Sequence, residues 1–187
     1  MKLGFYGGTF DPIHHGHLIL ARDAVETLGL DRLYFIPNTL SPHKLRNRPT
    51  PGAIRLAMVE AAIGDEPRFD VEPGEVERPG PSYTIDTILR MRERFGPEAR
   101  FHYLIGHDNV AALHTWHRIA ELHRLVTFVV LSREETAAAL PYETLRRRVD
   151  ISSTEIRKRV ARNESIRYFV PEKVHRLILQ HQLYQTT

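Results

Sequence analysis

The sequence predicts an α/β fold: a single-domain, doubly wound parallel sheet with a helical C-terminal part. Three observations lead there. Short apolar runs alternate with amphipathic helical patterns along the chain. The first run is followed at once by a glycine-rich turn and a helix start, the place where such sheets bind phosphates. The length, 187 residues, is that of one domain and is enough to bury roughly 70% of the unfolded surface.

The elements follow in order. Strands are predicted over Leu3–Tyr6, Leu33–Ile36, Phe69–Glu72, Arg100–Ile105 and Leu125–Leu131. Helices are predicted over Gly16–Leu28, Gly52–Ile63, Thr84–Phe95, Ile119–His123, Ser153–Arg162 and Glu172–His181. In the first helix Leu18, Ala21, Val25 and Leu28 share a face. The third carries Ile85, Ile88, Leu89 and Phe95, then stops at Gly96-Pro97. Pro37–Pro51 is a polar, proline-rich loop, long enough to be functional and expected to close on substrate.

Composition narrows the function classes. A hydrophobic fraction of 42% and a charged fraction of 26% are those of a soluble globular protein. There is no cysteine, which excludes a disulfide framework and thiolate chemistry and fits a reducing compartment such as the cytoplasm. No apolar run is long enough to span a bilayer, so no membrane partner is expected. The first strand begins at Lys2, which leaves no room for a signal peptide. The formal net charge is +3 and the isoelectric point 9.3, values that suit an anionic small molecule as well as a nucleic acid.

Five constellations carry chemistry. The first is Gly7-Gly8-Thr9-Phe10-Asp11-Pro12-Ile13-His14-His15-Gly16-His17. Its glycines permit close backbone approach to a ligand, and the helix N-terminus offers N–H groups and a partial positive charge. His14 and His17 can add protonated donors as charge builds on a transferring phosphate. A protein-held metal is not expected, because no Cys or acidic partner has zinc-site spacing here. The bland alternative is a turn with surface histidines.

The second is Ile151-Ser152-Ser153-Thr154-Glu155-Ile156-Arg157. Ser152 and Glu155 have capping-box spacing, and Arg157 follows within reach of an anion at that helix start. Alone it reads more readily as a capped surface helix with solvated arginines. The third is Ser41-Pro42-His43-Lys44, where a loop lysine can close over a phosphate or stay solvated.

The fourth is Ile105-Gly106-His107-Asp108, with Trp116 and His117 downstream. A carboxylate at the carboxyl edge of the sheet can accept ribose hydroxyls. Trp116, the only tryptophan, is either core or a stacking platform for a planar ligand. The fifth is Gly80-Pro81-Ser82-Tyr83-Thr84, where Ser82 or Thr84 can cap a helix whose N–H groups could hold a carboxylate.

Together these residues resemble the bacterial nicotinate-mononucleotide adenylyltransferases of the H-x-G-H nucleotidyltransferase superfamily. The H-x-G-H signature is His14-His15-Gly16-His17 here, and the likeness covers nearly the whole chain. The Pro-Ser-Tyr-Thr segment and Trp116 point to the nicotinate branch. The resemblance implies a Rossmann-like nucleotidyltransferase fold over residues 1–187, with the C-terminal helices from about 151 completing the ATP site. It implies the reaction of ATP with nicotinate mononucleotide, giving deamido-NAD and pyrophosphate, with Mg held mainly by ATP phosphates. It implies ATP-binding roles for Gly7, Gly8, Phe10, His14, His17, Gly106, Asp108, Ser152, Ser153 and Arg157. Thr9, His43, Lys44, Tyr83, Thr84, Trp116 and His117 fall to the mononucleotide, and His14, His17, Lys44 and Arg157 to catalysis. One segment departs from the family pattern. Arg133-Glu134-Glu135 stands where Arg-Pro-Gly is usual, which changes the turn chemistry there.

Other readings are weaker. A relative using nicotinamide mononucleotide or phosphopantetheine shares the motifs and differs only at the acceptor. A dinucleotide-binding module lacks its fingerprint, since Gly4, Gly7 and Gly8 do not spell G-x-G-x-x-G. A nucleic-acid-binding protein rests on Arg146-Arg147-Arg148, a run that reads as a solvated face. The expected partners are therefore ATP and nicotinate mononucleotide, not nucleic acid, with room for a homo-oligomer.

Overall fold

The computed structural model describes residues 1–38, 49–78, 80, 82–132 and 140–185. The order is β1 (Lys2–Gly8), α1 (His15–Leu28), β2 (Arg32–Pro37), α2 (Gly52–Ile63), β3 (Phe69–Val71), α3 (Gly74–Glu77), α4 (Thr84–Phe95), β4 (Arg100–Gly106) and α5 (His107–Val110). A 3-10 turn at Leu113–Thr115 leads to α6 (Ile119–Leu125), β5 (Thr127–Ser132), β6 (Glu143–Arg146), α7 (Ser153–Ala161) and α8 (Glu172–Gln180).

The six strands form one sheet in the order β3-β2-β1-β4-β5-β6, and every pairing is parallel. The order reverses between β1 and β4, so a crevice opens beyond their carboxyl ends. Tyr6 pairs with Leu104, so Gly8 and Gly106 finish neighbouring strands at the same edge.

Strand alternation splits the core into two layers. On one face Tyr6, Leu33, Phe35, Leu104, Val129 and Leu131 pack with buried residues of α1, α2, α7 and α8. On the other, Leu3, Phe5, Tyr34, Ile36, Tyr103 and Val130 pack with Ile85, Ile88 and Met91 of α4 and Leu122 of α6. The first layer matters for function. Ile156 of α7 is fully buried in the same cluster as Leu20 and Ala21 of α1, so the starts of these two helices are brought to one place.

The predicted elements stand, with local differences. The predicted strand at Leu125 begins only at Thr127, because α6 runs on through Leu125 and the Val126 N–H still donates to the Leu122 carbonyl. Glu72 leaves the third strand, its carboxylate accepting from the Gly74 N–H and from Arg90. Strand β6 went unpredicted: Glu143-Thr144-Leu145-Arg146 is short and half polar, as a sheet edge tolerates. The turn at Arg133-Glu134-Glu135 and the loop segment with His43 and Lys44 lie outside the described residues.

Candidate active site

The turn after β1 is held from several sides by the protein itself. Phe10 sits at φ 48°, a left-handed conformation that costs a residue with Cβ and persists only where the surroundings impose it. Its ring is buried and meets Tyr6, His17 and Phe35 edge-on. Arg55, from α2, donates to the Thr9 carbonyl at 2.6 Å. Arg157, from α7, donates to the Asp11 carbonyl at 2.7 Å, and the Ser153 hydroxyl donates to the Pro12 carbonyl at 2.9 Å. The Asp11 carboxylate accepts from the Tyr184 hydroxyl at 2.6 Å and from the Thr50 N–H at 3.1 Å.

His14 caps α1 with extended backbone and is 1% exposed, which rules out a turn of surface histidines. Its ring stacks on that of His17, centroids 3.7 Å apart and 23° from parallel. Two imidazolium ions at that spacing would repel, which disfavours charging both rings at once. The His14 backbone N–H donates to His17 Nδ1 at 3.3 Å. That bond makes Nδ1 an acceptor and puts the proton of a neutral ring on Nε2. His17 is thus arranged to donate from Nε2 without being an imidazolium, a refinement of the expected protonated donors.

Two glycines also make room within the protein itself. A Cβ on Gly16 would lie 3.0 Å from His14 Nδ1 and 3.2 Å from Val149 Cγ1, so Gly16 makes room for the stacked imidazole. A Cβ on Gly7 would collide with the Tyr103 hydroxyl. In this structure both make space for the protein's own side chains.

The first turn of α1 is also less open than its sequence suggests, since the His15 N–H donates to the Phe169 carbonyl at 3.0 Å. The start of α7 lies across from it. Ser152 caps α7, its hydroxyl accepting the Glu155 N–H at 3.1 Å, as the spacing predicts. Arg157 uses two of its five N–H groups, on Asp11 and on the Thr154 hydroxyl, which leaves capacity for an anion.

The crevice has a second side. Tyr83 and His117 face each other with ring centroids 4.6 Å apart. Trp116 is half-buried, edge-on to Tyr103 and Phe128, so it is both part of the second core layer and partly accessible. Asp108 is exposed at the start of α5, just past the end of β4. Ser82 and Thr84 do not cap α4, whose cap is Tyr83 without a side-chain bond. Instead the Ser82 hydroxyl donates to the Glu75 carbonyl at 3.1 Å, and Thr84 hydrogen-bonds the buried Tyr103 hydroxyl.

Beneath this side is a polar network that sequence reading missed. The Thr87 hydroxyl donates to the Glu75 carboxylate at 3.2 Å, and Arg90 donates to Glu72 at 3.0 Å. Burial pushes the Glu75 carboxyl up to about 7. Between its ordinary value near 4.5 and about 7, the native state holds a proton that the unfolded chain has released. This contribution to stability is therefore fully present below about 4.5 and lost as pH rises past 7, by up to about 3 kcal/mol. Glu75→Gln should flatten that slope in urea melts at pH 5 and pH 8; an unchanged slope would refute the buried titration.

A parallel 3-2-1-4-5-6 sheet, a stacked H-x-G-H histidine pair at its switch point and a second helix start beside it define a nucleotidyltransferase of the H-x-G-H class. The family model for cytidylyltransferase-like proteins matches residues 5–159. A relative from Geobacillus thermodenitrificans, named a probable nicotinate-nucleotide adenylyltransferase, is 45% identical over 98% of this chain and 86% of its own. The Bacillus subtilis nicotinate-nucleotide adenylyltransferase is 36% identical over 99% of both. The chain belongs to the nicotinate-nucleotide adenylyltransferase family, within the cytidylyltransferase-like proteins. Its fold is also that of the Plasmodium falciparum nicotinic acid mononucleotide adenylyltransferase, solved with APC and with NaAD. In both complexes the TM-score is 0.77 over 98% of this chain; coverage of the solved chain is 96% and 97%, at 19% and 18% identity.

Among the described residues no helix is long and apolar enough to cross a membrane.

Proposed function

We propose that the chain joins the adenylyl group of ATP to the phosphate of nicotinate mononucleotide, giving deamido-NAD and pyrophosphate. The observation that carries this reading is the convergence of the starts of α1 and α7 on one turn, made by Ser153 on Pro12 and Arg157 on Asp11 beside the His14–His17 pair. Two helix starts, two imidazoles and a guanidinium suit a triphosphate.

The chemistry needs little from a side-chain base. A phosphate monoester is already ionised near pH 7, so its oxygen attacks the α-phosphorus of ATP directly. A new P–O bond forms, the α–β bridging bond breaks, and pyrophosphate leaves with the electron pair. The protein supplies alignment and donors for the growing charge. In this reading His17 Nε2, His14 and Arg157 serve the phosphates, with Gly7, Gly8, Phe10, Ser152 and Ser153 shaping their cradle. Gly106 and Asp108 serve the adenosine ribose. Trp116 and Tyr83 flank the nicotinate ring, with the starts of the helices near Thr84 and His117 toward its carboxylate and Thr9 on the same side. His43 and Lys44 keep the substrate roles that family membership implies.

The metal in this reading is magnesium, arriving on ATP. Among the described residues no three His, Cys, Asp or Glu side chains form a cage for a cation. The Asp11 carboxylate is already engaged by Tyr184 and Thr50. These donors suit an ion held by phosphate oxygens, where it would neutralise charge on the leaving pyrophosphate. We take residues 1–187 as one domain and assign it to the cytoplasm, both on family membership.

Pyrophosphate release from Mg·ATP, with nicotinate and nicotinamide mononucleotides in parallel, tests the reading. A carboxylate needs only donors, whereas an amide also needs an acceptor. We expect the nicotinate form to be preferred by at least about tenfold in kcat/KM. Equal use would overturn the carboxylate site, and no release with either would overturn the reaction.

A further inference from the structure

Tyr184 lies at the far end of the chain, yet its hydroxyl reaches the catalytic turn. After α8 the backbone bends twice through left-handed conformations, at Gln182 (φ 50°) and at Tyr184 (φ 62°). Neither residue is glycine, and two such residues within three positions carry strain that a plain helix end does not require. The bend packs Leu183 and the Tyr184 ring against the first core layer and brings the Tyr184 hydroxyl to Asp11 Oδ1 at 2.6 Å. The Thr50 side chain also hydrogen-bonds the Tyr184 hydroxyl.

The recipient has an unusual position. Asp11 is only 8% exposed and follows the left-handed Phe10. Its carboxylate takes both Tyr184 and the Thr50 N–H, while its main-chain carbonyl takes Arg157 at 2.7 Å. The Arg55 cation, buried beside it, bonds the carbonyls of Thr9 at 2.6 Å and Thr50 at 2.8 Å. A shift of Asp11 therefore moves the guanidinium that faces the ATP side. On the acceptor side Tyr83, Thr84 and His117 take no part in these bonds; of the groups read there only Thr9 does, through its carbonyl to Arg55.

We infer that Tyr184 is a positioning residue for the ATP half of the site: its hydroxyl fixes Asp11, and Asp11 fixes Arg157. The inference rests on the function proposed above. Burial keeps the Tyr184 hydroxyl protonated far above its ordinary range, so the lock stays closed across the working pH range.

The test is Tyr184→Phe, which keeps the ring in the core and removes one oxygen. Its expected signature is a split. KM for ATP rises roughly tenfold, the loss of one hydrogen bond to a charged group, while KM for nicotinate mononucleotide stays within about twofold. Asp11→Ala removes the acceptor oxygens, breaks the same lock from the other side and should show the same split. In the Tyr184→Phe, Arg157→Ala double variant the effects should not add, because Tyr184 acts through Arg157. Equal loss for both substrates, full additivity or unchanged kinetics overturns the inference. Amide exchange at Thr50, whose N–H is donated to Asp11, gives a reading without activity. It should speed up in Tyr184→Phe, and unchanged exchange overturns the lock. Wild-type protein that releases no pyrophosphate would instead overturn the proposed reaction, with the exchange measurement still deciding the lock.

Discussion

His17→Ala is expected to lower kcat by about 10²–10³ while the protein still folds, the usual cost of removing one donor from a developing oxyanion. The structure gives three reasons. His17 stacks on the buried His14 ring, so the pair is preorganised before substrate arrives. Its Nδ1 is held by the His14 N–H, which fixes Nε2 as the donating nitrogen. Phe10 and Tyr6 close in edge-on and keep the ring in place. The side chain contributes little to the core itself, so the melting temperature should move by only a few degrees. Steady-state kinetics with saturating Mg·ATP and mononucleotide reads the effect. A near-normal rate would remove the H-x-G-H pair from the chemistry.

Arg55→Met is expected to be the most damaging single change to stability, about 3–5 kcal/mol. Arg55 is 2% exposed, and the fold encloses its guanidinium around Asp11. Burial pushes its pKa down and the Asp11 charge pushes it back up, with burial the larger effect. Methionine fills much of the volume but leaves the Thr9 and Thr50 carbonyls without their donor and the Asp11 carboxylate without its cation. For a chain of this size the melting temperature should fall by roughly 10 °C. Thermal denaturation checks it, and a fall of under about 2 °C would show that the buried cation is not needed. The pair of variants separates two uses of one turn: His17→Ala tests the proposed action on the substrate, whereas Arg55→Met tests what keeps the turn in shape.

Chemistry that depends on neighbours in sequence was legible from the start. His14-His15-Gly16-His17 on a strand-to-helix turn, Ser152 with Glu155 three positions on, and Tyr83-Thr84 at a helix start are local patterns. Local patterns survive in one dimension because backbone geometry alone sets their spacing. Residues that act through distant partners were not legible. Nothing in Leu183-Tyr184 marks a hydroxyl bound for Asp11, 173 positions away. Glu75 reads as an ordinary acidic residue until α3 and α4 bury it. Gly7 and Gly16 carry the right residue type, but only packing reveals that the space they leave belongs to Tyr103 and His14.

Read alone, the chain already specifies an alternating strand–helix order and a turn bearing glycines and histidines between the first strand and the first helix. Hydrophobic period and turn chemistry act over a few residues, so they are written in the order of amino acids. Tertiary packing alone decides that α7 meets the H-x-G-H turn, that the Arg55 cation is buried near Asp11, and that the Tyr184 hydroxyl reaches the Asp11 carboxylate. Those outcomes depend on burial and on the enclosure of charges by segments far apart in the chain. Such forces exist only once the sheet has brought the segments together.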